Sequence, residues 1–388
     1  MHRRAKQIII PCMKVIKEKG IFVAATGQNV GKTTVCLGLV SGLKKRLASV
    51  GYIKPVGQEH IETESGLHVD KDVVIFKSYF NLSDPYETMS PVLFPRGFTR
   101  DYLDGKIDHR DLVDAIAASY KAVTSKNQIS VLEGTGHTGV GSIVNLNNAQ
   151  VAALLKCPTI LIASGGLGSS FDELSLNYTQ CEKYGVRVAG VILNRVLEDK
   201  REMILKYMEK ALKRWNLPLF GCIPYDSFLS TPTMSDFVQL FETEMITGEL
   251  HTLQHYQTIR LVASSLETYR SLIVPNQLVI TPASREDIIL ATLTHYWDEK
   301  IANPKKDLGL GMILTGKQPP KETIIDQIRR ANIPMIYIPL SSFIAMKMIN
   351  TYTTKIRKED TSKIEEAVRI VEQHIDFDRL LKAIEAPI

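Results

Sequence analysis

The segment Thr26-Gly27-Gln28-Asn29-Val30-Gly31-Lys32-Thr33-Thr34 constrains the fold of this chain more than any other. A short apolar run, residues 21–25, stands before it, and helical apolar spacing over residues 32–47 follows it. The order is therefore strand, glycine loop, helix. Such a loop aims successive backbone N–H groups and the positive end of the helix at anionic oxygens. Gly-Lys-Thr adds two side chains that phosphate chemistry needs: Lys32 reaches the β and γ phosphates, and the Thr33 hydroxyl binds Mg²⁺. The strict pattern has glycine where Thr26 stands, so the motif is imperfect, but strand, loop and helix fall where the mechanism requires them. Gly27, Gln28, Asn29, Val30, Gly31, Lys32, Thr33 and Thr34 are the expected cradle for a nucleotide, with ATP and Mg²⁺ as the expected cofactors.

Further apolar runs at residues 51–53, 129–132, 158–163, 186–193 and 217–222 are mostly separated by enough chain for a crossover helix, which predicts a doubly wound parallel sheet in an α/β domain. A phosphate site of this type needs a carboxylate at the end of a neighbouring strand, and Val131-Leu132-Glu133-Gly134 supplies Glu133. The loop that follows, residues 135–142, is rich in glycine and hydroxyls and lets a ligand approach its backbone closely. Ser170 and Glu173 have the spacing of a helix capping box.

Composition narrows the function classes. With 388 residues, 44% apolar and 23% charged, the chain has room for two or three cores and is not broadly disordered. Its net charge of +5 is spread out, and no nucleic-acid motif accompanies it, so no nucleic-acid partner is expected. Five scattered cysteines without a CxxC pair exclude a disulfide framework or zinc ribbon. His251 and His255 are four apart, but no third metal ligand is evident. No stretch reaches the roughly 18 apolar residues of a membrane span, and the basic start lacks a signal-peptide cleavage site, so no membrane partner and a cytoplasmic location are expected. Met13 is a candidate start, because a clean strand begins soon after it.

The combination TGQNVGKTT, GYIKPVGQ with Lys54, Asp72 and VLEG resembles the dethiobiotin synthetase family of P-loop ligases. That resemblance implies that Lys54, in a Lys-Pro-Val motif, and Lys32 face a carbamate and the ATP γ-phosphate, forming a mixed anhydride. It also implies a Mg²⁺ site made by Thr33, Asp72 and Glu133, with Asp70 as an alternative to Asp72. In the P-loop families it resembles, the asparagine of Val191-Ile192-Leu193-Asn194 faces the adenine, so Asn194 is the expected base contact.

Strand and helix patterns lapse over residues 227–247 and then resume, with strands expected at 259–263, 277–280, 309–314 and 335–338 and helices near 286–296 and 321–330. This predicts a second, smaller α/β domain. The order of the pieces, together with Thr281-Pro282-Ala283-Ser284-Arg285-Glu286-Asp287 and Leu314-Thr315-Gly316, resembles the amino-terminal half of long bacterial phosphotransacetylases, where a dethiobiotin-synthetase-like domain precedes a DRTGG domain. Lys317 replaces the last glycine of that motif. The resulting division is an N-terminal extension (1–20), a P-loop ATP-binding domain (21–225), a linker (226–255) and a DRTGG-like domain with C-terminal helices (256–388). The apolar spacing over residues 361–381 predicts helix packing within its own domain. The resemblance implies a homo-oligomer that senses nucleotide or metabolite and acts on a metabolic enzyme as partner. The alternative is an ATP-dependent ligase or ATPase that phosphorylates a carboxylate or carbamate. Acetyl transfer is not expected, since the chain stops near where that family's acetyltransferase domain would begin. The related amidotransferase class needs a nucleophilic cysteine after Cys222, and none occurs. Partitioning ATPases carry a signature lysine where Gly27 stands.

Overall fold

The computed structural model describes residues 19–385, so residues 1–18 of the expected N-terminal extension, with the candidate start at Met13, lie outside the described residues, while Gly20, expected in that extension, already opens the first strand. The chain forms two compact units. One runs to Tyr225 and takes up the chain again from Ile364, and the other is Asp226–Lys363.

In the first unit, β1 (Gly20–Ala25) leads through the glycine loop into α1 (Lys32–Lys44), followed by β2 (Val50–Ile53), α2 (Lys71–Phe80), β3 (Ile129–His137), β4 (Thr159–Ser164), α3 (Gly168–Lys183), β5 (Val188–Val196) and β6 (Leu219–Pro224). The six strands form one parallel sheet in the order β6-β5-β4-β1-β3-β2. Every residue of β1 is buried, which is why its sequence is continuously apolar instead of alternating: helices cover both faces of the sheet. Strand order reverses beside β1, and in open sheets of this kind ligands bind outside the carboxyl ends at such a switch point. The glycine loop sits there. Ser170 and Glu173 do not form the expected capping box. Gly165 and Gly166, the latter at φ +150°, let α3 begin at Gly168, and the two side chains turn elsewhere.

The second unit contains α4 (Met234–Phe241), β7 (Met245–Thr247), β8 (Thr258–Leu261), β9 (Gln277–Pro282), α5 (Glu286–Ala302), β10 (Gly311–Thr315), α6 (Glu322–Ala331), β11 (Met335–Ile338) and α7 (Ser342–Thr351). Its five-stranded sheet has the order β7-β11-β10-β9-β8, parallel except for β7, which runs antiparallel to β11. Residues 226–255, expected as a linker, are part of this unit. Thr233 and Asp236 close a reciprocal capping box on α4, and Met234 and Phe237 are buried in the unit's core.

The C-terminal helices α8 (Thr361–His374) and α9 (Phe377–Glu385) were expected in the second domain, but from Ile364 the chain packs in the first unit. The reason lies on α1. Gly38 and Gly42, one turn apart, leave a groove filled by Val371 and Phe377: a Cβ on either glycine would lie only 2.2 Å from Val371 Cβ or 2.1 Å from Phe377 Cζ. Arg46 stacks its guanidinium 4.4 Å over the Phe377 ring, and Lys45 pairs with Glu372. Among the described residues no helix is long and apolar enough to cross a membrane, and the four cysteines are free and buried.

Candidate functional site

The glycine loop turns through two left-handed residues, Asn29 (φ 58°) and Gly31 (φ 92°). Gly31 also has to be glycine for space, because a Cβ there would sit 2.3 Å from Asn194 Nδ2. Asn194, buried at the end of β5, donates to the Val30 carbonyl at 2.8 Å, and Arg195 donates to the Asn29 carbonyl at 2.8 Å. Both side chains hold the crown of the loop in shape. No side chain caps the amino end of α1, so its first N–H groups stay available to an anion. Thr26, where the strict motif has glycine, is buried. Its hydroxyl donates to Glu173 at 2.9 Å and its carbonyl accepts from Asn177 at 3.2 Å, so a side chain is accommodated by two residues one turn apart on α3.

Beside the loop lies a buried charge cluster. Glu133, 1% exposed in the middle of β3, which runs on past it to His137, accepts from the Thr33 hydroxyl (2.9 Å) and Lys54 (3.1 Å) on Oε1, and from the Tyr52 hydroxyl (2.8 Å) on Oε2. Lys54 also reaches Asp72 Oδ2 at 2.6 Å. Burial works against the charge on Lys54, but Asp72 and Glu133 outweigh it and hold the ammonium protonated, well above its ordinary value. Burial likewise opposes ionisation of Asp72, and Lys54 reverses this, keeping the carboxyl below its usual range. Asp70 differs: it caps α2 through the Asp72 N–H at 2.9 Å, and burial pushes its carboxyl up to about 7. Lys32 donates to the Gly136 carbonyl at 2.6 Å; burial lowers its ammonium to about 8, with Glu133 working the other way.

Lys32, Thr33, Lys54, Asp72 and Glu133, far apart in sequence, thus converge. Gln28 and Asn29 are exposed, Gly27 and Thr34 partly so, and Val30 is buried beneath them. Asp72 contacts Lys54, whereas Asp70 serves the helix start. Asn194 is at the loop, with its amide on a loop carbonyl. His251 and His255 diverge to Asn332 and Asp360, and among the described residues no three His, Cys, Asp or Glu side chains group to hold a metal. Tyr52 was missed, although period-two alternation puts it on the same face as Lys54. Glu173 and Asn177 were also missed; their four-residue spacing marks one helix face without saying what that face meets.

A family model for an AAA domain matches residues 19–233, and one for a DRTGG domain matches residues 236–352. The chain belongs to this AAA domain family. The two matches meet at the start of α4, a few residues past Tyr225, where the first stretch of the AAA unit ends. The phosphate acetyltransferases of Nitratidesulfovibrio vulgaris and Nitrosomonas europaea are each 25% identical to it, over 369 and 380 residues; the matches cover 93% and 94% of this chain and 51% and 52% of theirs. The chain spans about half the length of these relatives. The ATP-dependent dethiobiotin synthetase BioD of Nitrosopumilus maritimus is 23% identical over 222 residues, 56% of this chain and 93% of its own.

Proposed function

We propose that this protein binds MgATP in its AAA domain and, through the DRTGG domain, passes nucleotide or metabolite state to a metabolic enzyme. The observation that carries the nucleotide reading is the loop hydroxyl of Thr33 lying 2.9 Å from the buried Glu133 carboxylate, with Lys32 one residue away at the start of an uncapped helix. A donor set of one hydroxyl and two carboxylates, Thr33, Asp72 and Glu133, is all oxygen and suits Mg²⁺, which typically takes one or two carboxylates and fills its shell with water and phosphate. When bound, Mg²⁺ supplies charge neutralisation to the β and γ oxygens. The chain's own residues do the rest. Lys32, now on the Gly136 carbonyl, and the uncapped α1 N–H groups would hold the nucleotide's phosphate oxygens, and Asn194 with Arg195 would keep the loop in shape at its crown. The regulatory reading rests on the attached DRTGG domain and on similarity to the phosphate acetyltransferases.

A second reading, an ATP-dependent ligase that phosphorylates a carboxylate or carbamate, is favoured by Lys54 and Asp72 standing beside Lys32, and by the likeness to BioD. Calorimetric MgATP binding and steady phosphate release separate the two, with Lys32→Ala as control. Binding without turnover supports the sensor. Turnover lost in Lys32→Ala supports the ligase, and absence of binding overturns both.

A further inference from the structure

Lys54 has no freedom to serve a ligand as it stands. Its side chain is 6% exposed, and its ammonium is held between Asp72 Oδ2 at 2.6 Å and Glu133 Oε1 at 3.1 Å. These are the same two carboxylates that the proposed magnesium site needs, and Glu133 Oε1 is also the oxygen that meets the Thr33 hydroxyl. A divalent ion bound to both carboxylates would lie within a few ångströms of the ammonium, and like charges that close repel strongly in a buried setting. Both cations cannot occupy the cluster together. Burying the two carboxyl groups without a cation is costly, so the cluster strongly favours one positive group, which can be the ammonium or a metal ion.

We propose that Lys54 is a tethered cation that fills the magnesium position until nucleotide arrives, and that nucleotide and metal displace it together. This rests on the nucleotide reading only for the second half of the statement; the occupancy of the cluster by the ammonium is tested without nucleotide. The consequence is a site that rejects free divalent ions and accepts them only when phosphate oxygens complete the shell and a new anion, the nucleotide or an acceptor beside it, receives the released ammonium. Tyr52, on Glu133 Oε2, steadies the carboxylate through the exchange.

The test uses Mn²⁺ as probe, with free ion read by its electron paramagnetic resonance and bound ion also by the rise in unfolding temperature of the nucleotide-free protein. Wild type is expected to show no saturable site. Lys54→Met is expected to gain one, at least about tenfold tighter than any wild-type binding, and to be stabilised by the ion. Lys54→Gln, which keeps hydrogen bonds to both carboxylates and guards against loss of the fold, is expected to gain the same site. Lys54→Arg retains a cation and stays like wild type, and adding Asp72→Asn to Lys54→Met abolishes the gained site. Equal Mn²⁺ binding by wild type and Lys54→Gln overturns the inference and leaves nucleotide binding untouched. If the site is gained but ATP binds neither protein, the nucleotide reading fails instead.

Discussion

Both units are built on open sheets, fully parallel in the first and parallel but for β7 in the second, yet the carboxyl ends of their parallel strands are chemically opposite. In the first unit β2 and β3 bring together Lys54, just past the end of β2, Glu133, within β3, and the nearby Asp72, all buried, with the Lys54 ammonium set between the two carboxyl groups. At the corresponding ends of the second unit, β9 and β10 deliver neutral hydroxyls. Thr315 shares a 2.6 Å hydrogen bond with Ser342 and donates to the Thr281 carbonyl. The cationic motif residue there, Arg285, closes on exposed Asp287 through two 2.8 Å bonds. Burying charge is expensive unless a ligand or partner ion makes use of it, so the concentration of buried charge at one set of strand ends points to phosphate and metal chemistry there. The second unit has its own buried charge, but it lies away from the strand ends: Asp236 takes Arg357 and Tyr352, and Asp360 meets His255.

The sharpest way to break this contrast is Lys32→Ala. Nucleotide affinity is expected to fall about a hundredfold or more, close to 3 kcal/mol, with the fold retained by circular dichroism. Unchanged affinity would put nucleotide in the second unit. Next in size is Arg357→Ala. It strips two hydrogen bonds, at 3.0 and 3.1 Å, from the buried Asp236 carboxylate. A cost of about 2–3 kcal/mol is expected for losing charge-assisted bonds, tempered because Arg357 is partly exposed. The measurement is urea unfolding: the second unit should melt first, leaving the AAA unit folded, and a single unshifted transition would contradict the role given to that pair.

Gly42→Ala sharpens the assignment of the C-terminal helices. The added methyl would meet Phe377 Cζ at 2.1 Å, so α9 must move. Overpacking of this kind costs about 1–3 kcal/mol, and Gly42→Ala combined with Phe377→Leu should recover part of it. Additive losses would mean that the two residues do not press on each other.

What could be read from the sequence follows from how local each signal is. The loop from Thr26 to Thr34 is contiguous, so its backbone chemistry is visible in nine letters, and Glu133 is visible because it follows an apolar run, although the strand continues through it to His137. Lys54 and Asp72 were legible through the family resemblance, but their mutual 2.6 Å contact was not, since spacing along the chain says nothing about distance across a fold. The apolar positions of α8 reveal that one face is buried, and only the glycines of α1 reveal against what. β7, three residues long, is too short to carry a periodic signal, which is why residues 226–255 read as a linker.

The last expected effect is one of sign. Asp360, buried in the second unit, lies 2.9 Å from His255 Nε2. Burial alone would raise its carboxyl, but the histidine bond and the Lys363 charge hold it below the usual range. A carboxyl with a depressed folded pKa contributes stability above its unfolded value of about 4, and that stability is lost as pH falls below it. Asp70 has the opposite shift, up to about 7. Between about pH 4 and 7 the unfolded chain has released this proton and the folded one has not, so its term weakens the first unit as pH rises. Urea midpoints across pH should therefore separate the two units: Asp70→Asn, which can still cap α2, removes a decline between pH 4 and 7, whereas Asp360→Asn removes a loss at more acid pH. The same slope change from both substitutions would show that the two carboxyls are not set apart by their surroundings.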